Sequence, residues 1–361
     1  MVVRTCIVPA WPTPVVCYSR LSALPWTHVL GSIHVVRSAR PIALLAVAVI
    51  ILALAVVGLG LLLGCSSPAP ATETVKLQLN WFHEAEFVGY YVAVDKGFYD
   101  EENLDVTLVE GGPGIQARDE VLNGGADFAI SSFGEQRTLV ETGEPVVALA
   151  SAFQIPPLVI FSLADSGIRE PRDLAGRRVG VKNDYWRDVL HETLENAGVD
   201  PAQVIEVEVD ADAKRLLYEG AVDVWMGYAH DEPIEAQVAG YQVTTIFPAD
   251  YGVGGYEGLL LANETTVADR AAMVQRFVRA SHRGWLYVVE HPDEAAEVMT
   301  RWQPKDGLEF QKLAVRALMP LVDIPQAPIG WIDEPKWRQL IGDSFDAEHP
   351  GYTMRFFEDV E

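Results

Sequence analysis

The hydrophobic pattern of the chain changes repeatedly between two periods from residue 75 onward. Apolar and polar side chains alternate in Val75–Trp81, which predicts a half-buried strand. Apolar residues then recur at helical spacing from Phe87 to Val94, and Gly97 ends this helix. Leu104–Gly111 predicts the next strand. Because strands and helices keep alternating, the pattern predicts a largely parallel sheet covered by helices.

The alternation continues in a second cycle that begins after the segment 171–176. The further elements that the pattern predicts are the helices 116–123, 135–142 and 188–197 and the strands 126–131, 146–153, 177–181, 204–209, 222–228 and 258–263. A long helix is predicted from the spacing of Val274, Phe277, Val278, Ser281, Trp285 and Val288, and a last one after Asp333.

These elements predict an α/β fold of two lobes, each a mostly parallel sheet flanked by helices, joined by two crossing strands near 161–166 and 257–263. We expect lobe I to comprise 75–162 and 258–361, and lobe II to comprise 163–257. Ligands of such sheets bind at the carboxyl ends of the strands, so the cleft between the lobes is the expected site.

The N-terminal region has the pattern of a secretion signal. Residues 41–64 carry no charge, Arg37 and Arg40 precede them, and small or polar residues follow Cys65. The ending 62–65, Leu-Leu-Gly-Cys, resembles a bacterial lipobox, in which the cysteine is lipidated. We therefore expect a signal at 35–64, lipidation of Cys65 and a tether at 65–74; an uncleaved transmembrane anchor is the alternative. Residues 1–34 fit neither part, and we expect them to be an untranslated or disordered extension.

Charge and cysteine content narrow the classes of partner and chemistry. After Cys65 the chain holds 23 basic residues (27 less four) against 51 acidic ones, a formal balance of −28, which disfavours nucleic acid and anionic lipid as partners. No cysteine follows Cys65, so that part of the chain has neither disulfides nor thiol chemistry. The histidines lack metal-ligand spacing, and we predict no metal site, no cofactor and a monomer.

Several blocks of the chain resemble a known family. The blocks are Leu79-Asn80-Trp81, Tyr90-Tyr91-Val92-Ala93, Lys96-Gly97-Phe98-Tyr99, Leu104-Asp105-Val106, 124–129, 173–181 and 219–224. They are similar to the solute-binding proteins related to fungal thiamine pyrimidine synthase. The resemblance implies a two-lobed type II periplasmic-binding-protein fold and partnership with a permease and an ATPase of an ABC importer. It also implies a ligand such as riboflavin or a thiamine pyrimidine precursor; more distant members bind sulfonates, taurine or nitrate.

The same family contains an enzyme, whose elements are missing here. The resemblance places the pyridoxal-phosphate lysine of the fungal synthase, and the histidine four residues later, at Ser131 and Glu135. The cysteine-rich motif of the synthase corresponds to Gly252–Glu257, which holds no cysteine. We therefore expect a binding protein rather than an enzyme, with no catalytic residue.

Polar and aromatic residues follow the predicted strand ends and form the candidate site. The predicted ligand-binding residues are Asn80, Trp81, Glu86, Tyr90, Ser131, Ser132, Phe133, Glu135, Tyr185, Trp186, Trp225, Tyr228 and Tyr256. Aromatic faces stack on flat rings, and amides, hydroxyls and carboxylates recognise ring nitrogens and carbonyls. Tryptophans are also common in cores, so lobe packing remains the alternative for Trp186 and Trp225.

The absence of an arginine or lysine cluster beside these residues favours a neutral ligand over sulfonate or nitrate. The number of candidate aromatic residues favours riboflavin slightly over a pyrimidine precursor. An anion-binding transport protein is the alternative, followed by a synthase-like enzyme. A sensory binding protein without an importer also remains open.

Overall fold

The computed structural model describes residues 71–210 and 213–357. The strands are β1 (Glu73–Gln78), β2 (Leu104–Val109), β3 (Phe128–Ser131), β4 (Val146–Phe153), β5 (Leu158–Leu163), β6 (Arg178–Val181), β7 (Ile205–Glu208), β8 (Trp225–Tyr228), β9 (Val243–Ile246) and β10 (Glu257–Asn263). The helices are α1 (Val88–Asp95), α2 (Phe98–Glu101), α3 (Ala117–Leu122), α4 (Phe133–Thr142), α5 (Asp184–Asn196), α6 (Arg215–Tyr218), α7 (Glu232–Val238), α8 (Glu264–Asp269), α9 (Ala271–Glu290), α10 (Pro292–Trp302), α11 (Gly307–Val322) and α12 (Glu334–Ile341). The predicted signal segment, the extension 1–34 and Cys65 lie outside these residues.

The first lobe is built on a five-stranded sheet in the order β2-β1-β3-β10-β4. Strand β1 runs parallel to β2 and β3, whereas β10 is antiparallel to β3 and β4. The carboxyl ends of β1, β3 and β4 therefore meet the amino end of β10 at one edge. This edge carries the residues that follow Gln78, Ser131 and Phe153, together with Glu257.

The second lobe repeats this arrangement. Strand β5 pairs antiparallel with β8 and β9, and β6 pairs parallel with β7. A parallel bridge between Val179 and Val224 joins the two groups, giving the order β7-β6-β8-β5-β9. In each lobe the strand that arrives from the other lobe is therefore antiparallel to its two neighbours. The two-lobed α/β architecture that the sequence predicts is confirmed.

The strand pairing places the first crossing earlier than the sequence pattern does. Strand β5 pairs entirely within the second sheet, so its residues 158–163 belong with lobe II. Val159 and Ile160 are fully buried, and a mostly apolar strand does not show from its sequence which lobe's core it joins. We therefore propose that the lobes divide at 154–157 rather than at 162, with the return segment at 247–256.

The core of the first lobe lies between its sheet and helix α9. Phe277 stacks on Phe128 with 4.0 Å between ring centroids and on Tyr99 with 5.2 Å. Helices α1 and α9 approach closely at two glycines, because a Cβ at Gly284 would lie 2.1 Å from the carbonyl oxygen of Gly89. The predicted helical spacing from Val274 to Val288 is confirmed by the burial of that face.

Among the described residues, none of the helices combines the length and apolar character that crossing a membrane requires.

Candidate functional site

The two lobes meet at the edges where their parallel strands end. The chain between β1 and α1 supplies Asn80, Trp81, Glu84 and Glu86 from lobe I. From lobe II, His230 follows β8, and its Nε2 lies 3.7 Å from Oε2 of Glu84. The carboxyl-end residues of both sheets therefore line one cleft, as the strand order requires.

The floor of the cleft is acidic. Burial raises the pKa of Glu84 to about 8, with the Glu232 and Asp306 carboxylates adding to the shift. Burial raises the pKa of Glu86 to about 8 as well, and Glu84 is its main repulsive neighbour. Glu257 also has a pKa raised to about 8, by burial and then by Glu86 and Glu135. Near neutral pH these carboxyls therefore hold protons that a ligand with hydrogen-bond donors or positive charge would replace.

Two further polar groups in this region are buried without hydrogen-bond partners. The side-chain oxygen of Asn80 has none, and neither ring nitrogen of His230 has one. The His230 side chain is only 2% exposed. Buried polar atoms are nearly always paired in native proteins, so these atoms are candidates for contacts with a bound molecule.

Ser131, Ser132 and Glu135 form a small hydrogen-bonded group at the start of α4. The Ser131 hydroxyl donates to Oε2 of Glu135 at 2.6 Å, and the Glu135 amide donates to the Ser132 hydroxyl at 3.2 Å. Ser132 therefore caps the helix. Arg118 lies 3.5 Å from Glu135, so one cation accompanies the carboxylate. The structure brings all three predicted residues together, with Ser131 buried and Ser132 and Glu135 partly accessible.

The second lobe contributes a buried ion pair. Lys182 donates to Oε1 of Glu232 at 2.6 Å, and the Tyr228 amide donates to Oε2 at 2.8 Å. Gly227 makes room for this carboxylate, since a Cβ there would lie 2.1 Å from Oε2. The Lys182 ammonium also lies 4.6 Å from the centroid of the Trp186 ring. This pair fixes the end of β8 against the end of β6.

Two aromatic side chains project from the cleft edges. Trp81 and Tyr185 are each 42% exposed. Both follow strand ends, Trp81 after β1 and Tyr185 after β6. Tyr228 is half-buried between the lobes: burial raises its pKa, as do the neighbouring Tyr185 and Glu257. Trp81 and Tyr185 thus give each lobe an accessible aromatic ring that can stack on a flat ligand.

Three predicted contact residues are corrected by the structure. Tyr90 packs edge-on against Trp285 in the first core, and Trp225 is fully buried beside Gly180. Tyr256 is fully buried, and its hydroxyl accepts the Asp333 amide. Each of these side chains is buried in a hydrophobic core, although its position near a strand end predicted that it would face the cleft. Phe133, against Trp337, and Trp186 are also largely buried, so they shape the site from behind.

Three residues of the cleft escaped the sequence-based prediction. They are Lys182, His230 and Glu257. Lys182 directly follows β6 and Glu257 begins β10, so strand-end position was a signal for both. No sequence motif near His230 indicated that it lies in the cleft, because its neighbours Glu84 and Glu86 are far away along the chain.

Comparisons with known proteins show which proteins this chain is similar to. The family described as NMT1/THI5 like matches residues 84–295. A formylaminopyrimidine-binding protein from Halalkalibacterium halodurans is 28% identical over 76% of this chain and 86% of its own. A 4-amino-5-hydroxymethyl-2-methylpyrimidine phosphate synthase from Legionella pneumophila is 25% identical over 79% of this chain and 93% of its own. The riboflavin-binding protein RibY from Chloroflexus aurantiacus is 25% identical over 73% and 78%, respectively.

The fold has a solved counterpart in the periplasmic aliphatic sulphonate binding protein SsuA from Escherichia coli. That structure aligns with a TM-score of 0.60 and 15% identity, and covers 74% of this chain and 84% of SsuA. The likeness establishes the periplasmic-binding-protein fold. The match of the family model over residues 84–295 shows that this chain belongs to the NMT1/THI5-like family.

Proposed function

We propose that this protein is the extracytoplasmic solute-binding component of an ABC-type importer, and that it captures a flat heteroaromatic ligand with an amino-substituted edge. The observation that carries the proposal is the cleft itself. It combines deep carboxyls at Glu86 and Glu257 with one accessible aromatic ring on each lobe, Trp81 and Tyr185.

The carboxyls favour an aminopyrimidine. A carboxyl group pairs with an amino group and the adjacent ring nitrogen through two parallel hydrogen bonds, accepting one and donating the other when protonated. The raised pKa of Glu86 and Glu257 keeps such protons available near neutral pH. The name of the Halalkalibacterium relative is consistent with this ligand class.

Riboflavin is the second candidate. The sequence-based preference for it rested on the number of aromatic residues, and Tyr90, Trp225 and Tyr256 are buried in the cores. The accessible aromatic residues Trp81 and Tyr185 could stack on either a pyrimidine or a flavin ring. We therefore place the smaller pyrimidine first. A sulfonate or nitrate is disfavoured because the basic side chains Lys182 and Arg118 are already paired with Glu232 and Glu135.

The positions that the resemblance assigns to the enzyme's lysine and histidine support binding rather than catalysis. Ser131 and Glu135 hydrogen-bond to each other at 2.6 Å and neither offers an amine for a Schiff base. Several relatives, among them the protein from Legionella pneumophila, are named as synthases, so the enzymatic alternative needs a direct test.

The N-terminal pattern supports a location at the outer face of the cell membrane. In this proposal Cys65 carries the lipid, residues 65–74 form the tether, and the protein acts as a monomer that delivers its ligand to a permease and its ATPase. Closure of the lobes around the ligand would give the permease a distinct state to recognise.

Small-angle scattering combined with recovery of the ligand tests this function class. We expect 4-amino-5-hydroxymethyl-2-methylpyrimidine to reduce the radius of gyration and to be recovered chemically unchanged after denaturation. Conversion of the pyrimidine, or an unchanged radius of gyration at saturation, would contradict the proposal. Riboflavin in a parallel titration separates the two ligand candidates.

A further inference from the structure

Glu84, Glu86 and His230 bring three metal-binding donor atoms together between the lobes. One donor atom from each side chain lies within 4.8 Å of the other two. Across the lobes, Nε2 of His230 lies 3.7 Å from Oε2 of Glu84. Adjacent ligands of a tetrahedral Zn²⁺ ion bound at about 2.0–2.2 Å are about 3.4 Å apart, so small side-chain movements would complete the geometry.

The histidine provides evidence that is independent of the acidic residues. Its side chain is only 2% exposed, yet neither ring nitrogen has a hydrogen-bond partner. A buried imidazole without partners loses the hydrogen bonds that water would supply. Coordination of a cation by Nε2 would remove that cost at the nitrogen nearest Glu84.

The two carboxylates likewise lack a basic partner. Among the described residues, no arginine or lysine lies within ion-pair distance of Glu84 or Glu86, although Lys182 and Lys214 pair with other glutamates nearby. Two neighbouring carboxyl groups in a partly desolvated site favour a divalent cation, whose binding would release their protons. The donor set of one imidazole and two carboxylates suits Zn²⁺ better than Mg²⁺ or Ca²⁺, which prefer oxygen ligands alone.

We propose that Glu84, Glu86 and His230 form a binding site for one divalent transition-metal cation, Zn²⁺ by its donor set, which links the two lobes. The site goes beyond the proposed function, because it needs no organic ligand. A three-residue ligand set leaves a fourth position for water or for a donor atom of the captured molecule. Because its ligands come from both lobes, cation binding stabilises the closed arrangement.

Calorimetric titration of Zn²⁺ into the metal-free, ligand-free full-length protein tests the site. We expect one ion per chain, and at least about a tenfold loss of affinity in both Glu86→Gln and His230→Gln. The control is His191→Gln, which removes a histidine that is already paired with Glu206 at the surface of lobe II and should leave Zn²⁺ binding unchanged.

Scattering supplies the second readout. Zn²⁺ alone should reduce the radius of gyration of the wild-type protein but not of His230→Gln. Absence of saturable binding, or wild-type affinity in both Glu86→Gln and His230→Gln, would overturn the proposal, as would an equal loss in His191→Gln. Pyrimidine binding measured with a chelator present is a separate result, so failure of the metal site and failure of the proposed function are distinguishable.

Discussion

The ammonium group of Lys182 lies 2.6 Å from Oε1 of Glu232, and the two side chains are only 9% and 6% exposed. The residue that follows β6 is thereby joined to the first residue of α7 inside lobe II. Removing one partner of a buried pair leaves the other charge uncompensated, which destabilises by about 3 kcal/mol or more. We therefore expect Lys182→Met to lower the free energy of unfolding by about 3 kcal/mol, measured by urea denaturation.

The matched double variant separates charge from packing. Lys182→Met with Glu232→Gln leaves no unpaired charge and keeps an acceptor for the Tyr228 amide, so most of the lost stability should return. A double variant that is less stable than Lys182→Met would show that the ion pair is not the cause.

Trp81 and Tyr185 are expected to contribute to ligand affinity without stabilising the fold. Both are 42% exposed, so truncation to alanine should change the free energy of unfolding by less than about 0.5 kcal/mol. Loss of a stacking contact should weaken pyrimidine binding about tenfold in each variant. Isothermal titration calorimetry measures the affinity.

Tyr241→Ala is the control for those variants. Tyr241 is 38% exposed and lies before β9, at the end of the second sheet away from the cleft. It should bind the ligand as the wild type does. Equal losses at Tyr241 and Trp81 would mean that the cleft has been misplaced.

Glu257 gives the ligand-free protein a distinctive pH dependence. Its pKa is raised by burial from 4.5 to about 8, so in this window the folded state binds more protons than the unfolded state. The associated stability is fully present below pH 4.5 and is lost as the pH rises through about 8. At pH 8 we expect the free energy of unfolding of Glu257→Gln to exceed that of the wild type by about 1 kcal/mol. Partial exposure of the Glu257 side chain keeps this difference small. Parallel stability profiles of the two proteins from pH 5 to 9 would contradict this assignment.

Helices α1 and α9 can cross closely because Gly284 has no side chain. A Cβ at Gly284 would lie 2.1 Å from the backbone oxygen of Gly89, which cannot move without displacing α1. Gly284→Ala should therefore lower the free energy of unfolding by about 2–3 kcal/mol in urea denaturation. The control is Gly134→Ala within α4, where the nearest atom is 3.9 Å away and alanine should be neutral or slightly stabilising.

The sequence predicted the lobes well because periodicity reports which face of an element is buried. Strand β4 has the bounds that the pattern of Val146–Phe153 indicates, and the apolar stripe of α9 is the face that is buried. The pattern missed β5 as a strand of lobe II, because its pairing partners β8 and β9 lie far along the chain. Register and sheet membership depend on such long-range contacts.

The position of a residue after a strand end indicated its accessibility in some cases, whereas core packing determined its burial in others. Asn80, Trp81 and Tyr185 follow strand ends and remain accessible or unpaired. Trp225 and Tyr256 occupy comparable positions but fill cores, and sequence spacing does not distinguish these outcomes. His230 could be recognised as a residue of the candidate site only from the structure, which places it beside Glu84.

Calorimetry tests most directly whether the cleft binds an aminopyrimidine through its carboxyl groups. The full-length wild type and Glu257→Gln are each titrated with 4-amino-5-hydroxymethyl-2-methylpyrimidine, riboflavin and an alkanesulfonate. We expect saturable binding of the pyrimidine that is weakened at least about tenfold by Glu257→Gln, with no binding of the sulfonate. Binding of the sulfonate in preference to both ring systems would contradict this prediction.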